Sequence, residues 1–485
     1  MRVTQAYRFA LDPTPAQERK LRSHCGASRF GYNWALGLVK ARLDQRERVR
    51  LAARVEQLPD AEVERLARTV ALPWTLAELR REWNAAKARV APWWAQNSKE
   101  AASSGFLQLA AGLDAWSKSR RGERRGARVG FPRFKRRGWA GESFRYTTGR
   151  FGVASRVRVQ LPRVGHVRTH ESTARLAGKL ADDRGRVLSM TVSCQGGRWF
   201  CSLCCVVDRD DRPARARDTV VGVDVGIKHL AVLSTGELIA NPRALEGAQR
   251  RLRRHQRRVD RQRRQGNPGC YDERGRAIKG RRPSNRSARQ RRTERRVARV
   301  HARAANIRRD VLHKLTSRLA AEHATIVVEH LNVAGMLSNR CLARALSDAG
   351  LAEIRRQLAY KTAWRAGTLV QAPTFYPSSK TCSNCQAVKA KLSLSERTYR
   401  CERCGLQIDR DLNAALNLKA LAQHVAPSGG ETINARSRPS AAGVPRTHVR
   451  PGRAGRRVDR EARTAPARIR RAPPPSNRRL HEDRR

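Results

Sequence analysis

Four cysteines constrain the local fold most tightly, because they form two Cys-x-x-Cys pairs separated by fifteen residues: Cys382, Cys385, Cys401 and Cys404. Each pair places two thiolates on one tight turn, and four thiolates close a tetrahedral shell around Zn²⁺. Gly405 follows the second pair, as such turns favour, whereas Gln386 stands where glycine usually follows the first. A closed shell leaves no position for water, so the spacing predicts a structural zinc ribbon. The alternative, four unrelated free thiols, would not require this spacing. Metal binding contributes on the order of 10 kcal/mol to a module this small.

The formal charge of the chain is the second constraint. The 102 basic and 42 acidic side chains leave a net charge of +60, which a compact fold tolerates only beside a polyanion or a cloud of counterions. Nucleic acid is the natural polyanion, although genome composition accounts for part of the excess of arginine over lysine. A membrane is not expected as a partner, because no stretch approaches the roughly 18 consecutive apolar residues of a spanning helix.

The cysteine count and the start of the chain bear on the compartment. Eleven cysteines are an odd number, and four of them have metal-site spacing, which favours a reducing compartment over a disulfide framework. The opening MRVTQAYRFALDP lacks the apolar region of a signal peptide, so we expect a cytoplasmic protein. Three further cysteines, Cys201, Cys204 and Cys205, lie within an apolar strand pattern and are interpreted as buried small hydrophobic residues rather than metal ligands.

The hydrophobic pattern changes along the chain. Helical spacing dominates residues 16–127, where Trp83 and Phe106 predict a helix-bundle core, with base stacking as the less favoured alternative. Residues 143–207 alternate in twos and predict a small antiparallel barrel or sheet. The segment between them, RRGERRGARVGFPRFKRRG, predicts either a loop that contacts a nucleic-acid backbone or a solvated basic loop. Beyond residue 219, buried strands alternate with arginine-rich helices.

Three acidic residues stand on separate core elements. Asp224 lies in the middle of the hydrophobic strand VVGVDVG, Glu329 ends the strand TIVVEH, and Asp411 opens a helix after the cysteines. A buried carboxylate is costly unless it is paired or binds a metal, and for any single acid a salt bridge to arginine is the simple alternative. Three such acids among mixed strands and helices fit an RNase H-like arrangement that gathers them at one end of a sheet. Two Mg²⁺ ions about 3.5–4 Å apart would offset the repulsion between the three carboxylates. The arrangement therefore predicts metal-dependent cleavage of phosphodiesters.

The last segment, residues 425–485, differs in composition. It has no Phe, Trp or Tyr, and it carries 16 arginines against 5 acidic residues. Such a segment buries too little apolar surface to fold alone, so the sequence predicts a disordered Arg/Pro-rich tail that adds nonspecific affinity for nucleic acid.

Several motifs, in order along the chain, resemble the TnpB (OrfB) family of bacterial and archaeal insertion sequences. They are YRFALDPTPAQERKLRSHCGASRFGYNWAL, VGFPRFKRRG, GVDVGIKHLAVLS, VVEHLNVAGM, LARALSDAG, PSSKTCSNC and CERCGLQIDRDLNAALNL. The resemblance spans about residues 5–420 and implies a multidomain α+β and α/β protein. The implied domains are a wedge-type β-barrel in two parts (1–13 and 128–215) and a helical recognition domain inserted between them (14–127). A RuvC-like nuclease domain of RNase H-like fold would follow (216–375), then an inserted zinc ribbon (376–408) and the last RuvC helix (409–424).

The resemblance also implies an activity, that of an RNA-guided DNA endonuclease. The metal-binding catalytic acids of the family would be Asp224, Glu329 and Asp411, with Asp409 as a neighbour rather than the match. The four cysteines would hold zinc. The partners would be a guide RNA made from the transposon end and a target DNA beside a short transposon-associated motif, with the remaining sequence read by base pairing. One departure is His330, which stands where an acid is common after the glutamate.

Two alternatives to this activity stay open at this point. A nuclease-inactive guided repressor would lack one of the three acids, and none is missing. A transposase that joins DNA ends would use clustered acids or a Tyr or Ser nucleophile, and no His-hydrophobe-His motif accompanies any of the seven tyrosines.

Overall fold

The computed structural model describes residues 1–124, 126–138, 141–210, 213–393 and 395–424. The segment predicted from sequence to be a disordered basic tail, residues 425–485, lies outside the described residues.

The chain begins with one strand and a group of helices. Strand β1 (Arg2–Asp12) is followed by α1 (Pro15–Val55), whose N-cap residue is Thr14. The Thr14 side chain accepts a hydrogen bond from the backbone of Gln17, and the Gln17 side chain bonds back to the backbone of Thr14, which makes a capping box. The helices that follow are α2 (Asp60–Thr69), α3 (Leu76–Val90) and α4 (Lys99–Arg120).

These helices pack into a bundle around an aromatic and aliphatic core. Helices α1 and α4 approach closely because Gly105 has no side chain: a Cβ there would lie 2.2 Å from the carbonyl oxygen of Ser28. Trp83 and Phe106 are buried in the core, as the helical spacing predicted. The core also includes Leu36, Val39, Leu79, Leu109 and Leu113.

A seven-stranded antiparallel sheet follows the bundle and takes β1 into its centre. Its later members are β2 (Glu142–Tyr146), β3 (Gly152–Ser155), β4 (Arg158–Leu161), β5 (Gly165–Thr169), β6 (Gly185–Gln195) and β7 (Arg198–Asp208), with α5 (Ala174–Ala181) between β5 and β6. The strand order is β2-β6-β7-β1-β5-β4-β3. Among the described residues β2 and β3 are the end strands, so the sheet is present and closure into a barrel stays a prediction.

The prediction that the three cysteines of β7 are buried hydrophobic residues is confirmed for the two whose side chains point into the sheet core. Cys201 and Cys205 are fully buried there, and burial raises the pKa of each thiol to about 12. Cys204, which alternates with them along the strand, is half-buried.

A second, mixed sheet is built from the next part of the chain. Its elements are β8 (Ala216–Asp224), β9 (His229–Leu233), β10 (Leu238–Ala240), α6 (Ala244–Gln265), α7 (Ala288–Glu322), β11 (His323–Val328), α8 (Val333–Met336), α9 (Ala343–Ala349), α10 (Leu351–Ala363) and β12 (Thr368–Gln371). The strand order is β10-β9-β8-β11-β12. Strands β8, β11 and β12 are mutually parallel, β9 is antiparallel to β8, and β10 is antiparallel to β9. The mixed sheet flanked by helices agrees with the pattern predicted from the sequence.

The described chain closes with a small hairpin and one helix. Strands β13 (Thr398–Arg400) and β14 (Gln407–Asp409) pair antiparallel beside the four cysteines. Helix α11 (Arg410–His424) follows without a gap and packs against β8 of the mixed sheet. The chain therefore passes through the cysteine segment and returns to the sheet that carries Asp224.

Candidate active site and metal centre

Two of the three predicted acids lie side by side at one edge of the mixed sheet. Strands β8 and β11 are parallel, with Val223 opposite Val328. The next residue along the chain is Asp224, still on β8, and Glu329, which lies one residue past the end of β11 rather than on the strand. Asp224 is the last residue of β8, so the expectation that it lies in the middle of a strand is wrong: the apolar run VVGVDVG continues past the strand into the turn. Both carboxylates therefore extend from the carboxyl ends of neighbouring parallel strands.

Helix α11 brings the third acid to the same edge, because it lies directly on the backbone of β8. A Cβ on Gly222 would lie 2.0 Å from the carbonyl oxygen of Ala415 and 2.6 Å from the backbone nitrogen of Lys419, so only glycine permits this contact. Asp411 is one turn before Ala415 on the helix, and Asp224 is two residues after Gly222 on the strand. The helix-to-strand contact thus brings the two aspartates toward each other.

The electrostatics of the three carboxylates show that they share one environment. Burial raises the pKa of Asp224 well above its usual range, and the charges of Glu329 and Asp411 raise it further, against an opposing effect of Arg410. Burial and the charge of Asp411 also raise the pKa of Glu329, although a hydrogen bond from the Ser378 hydroxyl favours its charged form. Buried acids that repel one another in this way are stabilised by a bound cation.

The two aspartates at the start of α11 make different contacts. One carboxylate oxygen of Asp409 accepts hydrogen bonds from the backbone nitrogens of Asp411 (2.9 Å) and Leu412 (3.1 Å), so Asp409 caps the helix. Asp411 instead faces its own side-chain partner, Arg410, at 3.1 Å, and both of these side chains are largely buried. Asp409 is exposed, and its charge raises the pKa of Asp224 less than the charge of Asp411 does, so Asp411 is the aspartate of this pair that acts more strongly on the acidic site.

His330, the residue that departs from the family pattern, lies beside the site and points to another loop. Its Nδ1 atom is 2.9 Å from the hydroxyl of Thr374, and its side chain is exposed. The position therefore adds no carboxylate to the acidic site.

The four cysteines come together as their spacing predicted. Their Sγ atoms all lie within 4.8 Å of one another, with 3.6 Å between Cys382 and Cys404 and 3.5 Å between Cys385 and Cys401. A backbone hydrogen bond from Leu406 lowers the pKa of Cys404 to about 6, which favours the thiolate that binds metal. Four sulfur donors at these distances fit a tetrahedral metal site.

The three carboxylates are less tightly gathered than the thiolates. Among the described residues, the cysteines are the one group of three or more whose possible ligand atoms all lie within 4.8 Å of one another. The spread of the acids is compatible with two cations about 3.5–4 Å apart, since no single ion then has to touch every carboxylate.

A buried hydrogen-bonded joint connects the cysteine segment to α11. The amide of Asn413 donates to the carbonyl oxygen of Thr381 (2.7 Å) and accepts from the backbone nitrogen of Ser383 (2.9 Å), so it holds both neighbours of Cys382. The amide of Asn417 donates to the carbonyl oxygens of Ser378 (2.8 Å) and Thr381 (2.7 Å). Because Asn413 and Asn417 are four residues apart, they share one face of α11.

Sequence patterns alone did not reveal this joint. Asn413 and Asn417 are almost fully buried, and Ser378 bonds to Asn417 through its carbonyl oxygen and to Glu329 through its hydroxyl. The available signal was a pair of asparagines at helical spacing directly behind Asp411, a polar pattern on a face that has to be buried. The cysteine segment thus contacts the acidic site from two directions, through α11 and through Ser378.

The helices also bear on membrane insertion. Within the described ranges, no helix combines the length and the apolar character that crossing a membrane requires.

The fold and the site together define a mixed α/β protein with an acidic site and a four-thiolate centre. Comparison with known proteins identifies the family to which a protein of this class belongs. A family model described as "Probable transposase" matches residues 202–340, and one described as "Cas12f1-like, TNB domain" matches residues 352–418. A third, "Helix-turn-helix domain", matches residues 1–48, where the structure has one strand followed by a single long helix.

Full-length relatives give the family. A Mycobacterium tuberculosis (strain ATCC 25618 / H37Rv) protein named "Putative RNA-guided DNA endonuclease Rv2885c" is 36% identical over 96% of this chain and 95% of its own length. An Escherichia coli (strain K12) protein named "Putative RNA-guided DNA endonuclease InsQ" is 28% identical over 89% and 96%. The chain therefore belongs to the TnpB (OrfB) family.

A solved structure covers most of the chain as well. It is the "Cryo-EM structure of the Cas12f1-sgRNA-target DNA complex", with a TM-score of 0.44, 11% identity, 86% of this chain covered and 99% of that chain. A likeness of this size says nothing about the reaction that this chain performs.

Proposed function

We propose that this protein is an RNA-guided, metal-dependent DNA endonuclease that cleaves target DNA by phosphodiester hydrolysis. The observation that carries the proposal is the gathering of three half-buried, mutually repelling carboxylates, Asp224, Glu329 and Asp411, at the carboxyl edge of a mixed sheet. The activity is the one in the names of its full-length relatives. None of the three acids is lost, which argues against a nuclease-inactive repressor.

The three carboxylates would hold Mg²⁺, with two ions as the expected number. When bound, the metal supplies an activated water and stabilises the leaving oxygen of the phosphodiester. The protein itself orients the acids: Ser378 donates its hydroxyl to Glu329, Arg410 pairs with Asp411, and Gly222 lets α11 lie against β8. The partial burial of Asp224 strengthens its interaction with a cation.

The four cysteines would hold one structural Zn²⁺. Four thiolates close the coordination shell, so the ion takes no part in hydrolysis. Its effect on cleavage is instead mechanical, because Asn413 and Asn417 connect the cysteine segment to the helix that carries Asp411. The ribbon is therefore proposed to fix the position of Asp411.

The remaining domains are proposed to bind the nucleic acids. The seven-stranded sheet would be the wedge-type barrel, the helical bundle the recognition domain and the mixed sheet a RuvC-like, RNase H-like nuclease domain. Helices α6 and α7 carry arginine on most exposed turns, which suits contact with phosphates. The guide RNA would come from the transposon end, and the target would carry a short flanking motif. A cytoplasmic location is favoured because the eleven cysteines are not joined by disulfides.

The test is reconstitution with the RNA that copurifies with the protein. We expect sequencing of that RNA to identify a guide, and we expect the complex to cut DNA that matches the guide beside a flanking motif when Mg²⁺ is present. Protein stripped of RNA serves as the control and should leave the same DNA intact. Joining of DNA ends by the RNA-free protein would instead support a transposase.

A further inference from the structure

A short loop, residues 373–378, follows β12, leads into the cysteine segment and runs past the acidic site. Two of its hydroxyl groups contact the residues that follow β11. The hydroxyl of Thr374 lies 2.9 Å from Nδ1 of His330, and the hydroxyl of Ser378 donates to the carboxylate of Glu329. Both ends of the loop are therefore attached beside Glu329.

Phe375 lies between these two attachments, and its side chain is almost entirely exposed. Its exposed fraction is 93%, the largest among the exposed large hydrophobic residues of the described chain. Within the described ranges its ring takes part in no ring–ring or cation–π contact. The next residue, Tyr376, instead packs against the small core cluster around Val327 and Leu418. The ring of Phe375 is thus available to a partner.

The backbone of Phe375 has an uncommon conformation as well. Its φ is +65°, in the left-handed region that glycine adopts readily and that bulky residues rarely enter. The backbone nitrogen of Tyr376 donates to the carbonyl oxygen of Pro373 at 3.1 Å, so Phe375 is the third residue of a tight turn, where a positive φ favours glycine. Neither packing nor turn geometry therefore accounts for a phenylalanine here. Strained residues of this kind concentrate at ligand and active sites.

The attachment of the loop limits which part of a substrate the ring reaches. Phe375 precedes Ser378 by three residues, and three extended residues span at most about 11 Å. The nucleotides of one strand follow one another about every 3.4 Å along a duplex, so this span corresponds to about three nucleotides. The ring therefore lies within about three nucleotides of a phosphate bound at Glu329, which accepts the hydrogen bond from Ser378.

A phenyl ring at this place suits a nucleobase. Stacking on an aromatic ring tolerates any sequence, because every base has a π-face, and phenylalanine has no donor or acceptor to read a base edge. A guided nuclease needs this tolerance where it cuts, since the guide selects the sequence. A protein partner fits less well, because a stable interface buries about 800 Å² on each side, several times what one phenylalanine offers.

We propose that Phe375 stacks on one base of the DNA strand at the acidic site and thereby orients the phosphodiester that is cleaved. It is a positioning residue, because it acts on the reacting phosphate through a neighbouring nucleotide. The inference rests on the proposed function, since the strand bound beside Glu329 has to be the DNA that is cut.

Three variants separate the ring from the strained backbone. Phe375→Gly removes the ring and suits the positive φ, so Tm should not fall, while the RNA-loaded complex should cleave matched DNA in Mg²⁺ about tenfold more slowly. Phe375→Trp keeps a stacking face and should cleave at close to the normal rate. The matched control is Ala366→Gly, because Ala366 is exposed in the turn before β12 and has a φ of +55°. This control relieves similar strain without removing a ring and should leave the rate unchanged.

The base is tested by removing it from the DNA. A single abasic site is placed in turn at each of the three nucleotides on either side of the cut, and the cleavage rate is measured. At one position the unaltered complex should slow about tenfold, whereas Phe375→Gly should show no further loss, because the ring and the base act as one pair.

The outcomes distinguish this inference from the proposed function. A normal cleavage rate of Phe375→Gly, or losses that are additive at every abasic position, would overturn the stacking role and leave the proposed function standing. An unaltered complex that does not cleave matched DNA would overturn the proposed function, and the stacking role with it.

Discussion

Asp409 and Asp411 are separated by one residue, yet their carboxylates have different surroundings. Asp409 satisfies two backbone N–H groups at the start of α11, a role that asparagine performs equally well. Asp411 raises the pKa of both Asp224 and Glu329, so its negative charge is felt at the acidic site. The helix start therefore combines one structural and one proposed metal-binding aspartate.

The first prediction uses this pair. Asp411→Asn removes a metal-binding charge and should lower the rate of DNA cleavage by on the order of 10³-fold or more, with little change in DNA binding. Asp409→Asn keeps the cap and should cleave at close to the normal rate. The rates are measured with the RNA-loaded protein and matched DNA at saturating Mg²⁺. Equal loss of cleavage in both variants would show that the helix start, and not the charge at position 411, is what matters.

At the scale of elements, the site depends on how α11 meets its neighbours. Its backbone touches β8 at Gly222, and its asparagines bond to the cysteine segment. One contact brings two backbones close together, and the other is fully buried. A substitution at either contact should therefore move Asp411 while the three acidic residues themselves stay unaltered.

The contact between β8 and α11 gives the second prediction. In Gly222→Ala the added methyl carbon would lie 2.0 Å from the carbonyl oxygen of Ala415. We therefore expect the free energy of unfolding to fall by about 3 kcal/mol or more. Gly247→Ala is the matched control, since this exposed glycine of α6 has open space around it and should gain about 0.5–1 kcal/mol. Denaturant unfolding measures both, and an unchanged stability of Gly222→Ala would contradict the close packing.

The joint between the cysteine segment and α11 gives the third prediction. Cys385→Ser should lose the bound zinc and lower cleavage on the order of 10²-fold, because misplacement of Asp411 by about 1 Å is enough for such a loss. Cys270→Ser, outside the cluster, should change neither zinc content nor cleavage.

A companion variant separates the joint from the metal. Asn417→Leu removes the hydrogen bonds to Ser378 and Thr381 and should lower cleavage while the protein keeps its zinc, as measured by metal analysis. Full activity of zinc-free Cys385→Ser would show that the ribbon does not position α11.

At the scale of the whole molecule, the sequence was informative where chemistry depends on spacing. The four cysteines and the helical core around Trp83 follow from short patterns, and the structure has the two clusters that those patterns predicted. The contacts made by Ser378 and Asn417 could not be predicted, because each depends on elements that only the tertiary fold brings together. The end of β8 at Asp224 was missed because apolar residues continue into the turn.

The net charge gives the fourth prediction. Three exposed arginines of α6, Arg254, Arg257 and Arg261, are replaced together by glutamine. The slope of log Kobs against log salt for duplex DNA should become shallower by about 0.9 for each phosphate that the variant no longer neutralises, with unchanged Tm. The matched control removes the same charge from the helical bundle, at Arg48, Arg65 and Arg68. An equal change in both triple variants would assign binding to net charge alone rather than to α6.

The central claim is that a guide RNA directs cleavage by the three gathered acids, and one measurement tests it most directly. Matched and mismatched DNA are incubated with Mg²⁺ and the RNA-loaded protein, either unaltered or as Asp224→Asn, and the cleaved fraction is followed over time. We predict cleavage of matched DNA by the unaltered complex and none by Asp224→Asn, although both bind the DNA. Cleavage that persists in Asp224→Asn, or that ignores the match between guide and target, would contradict the account.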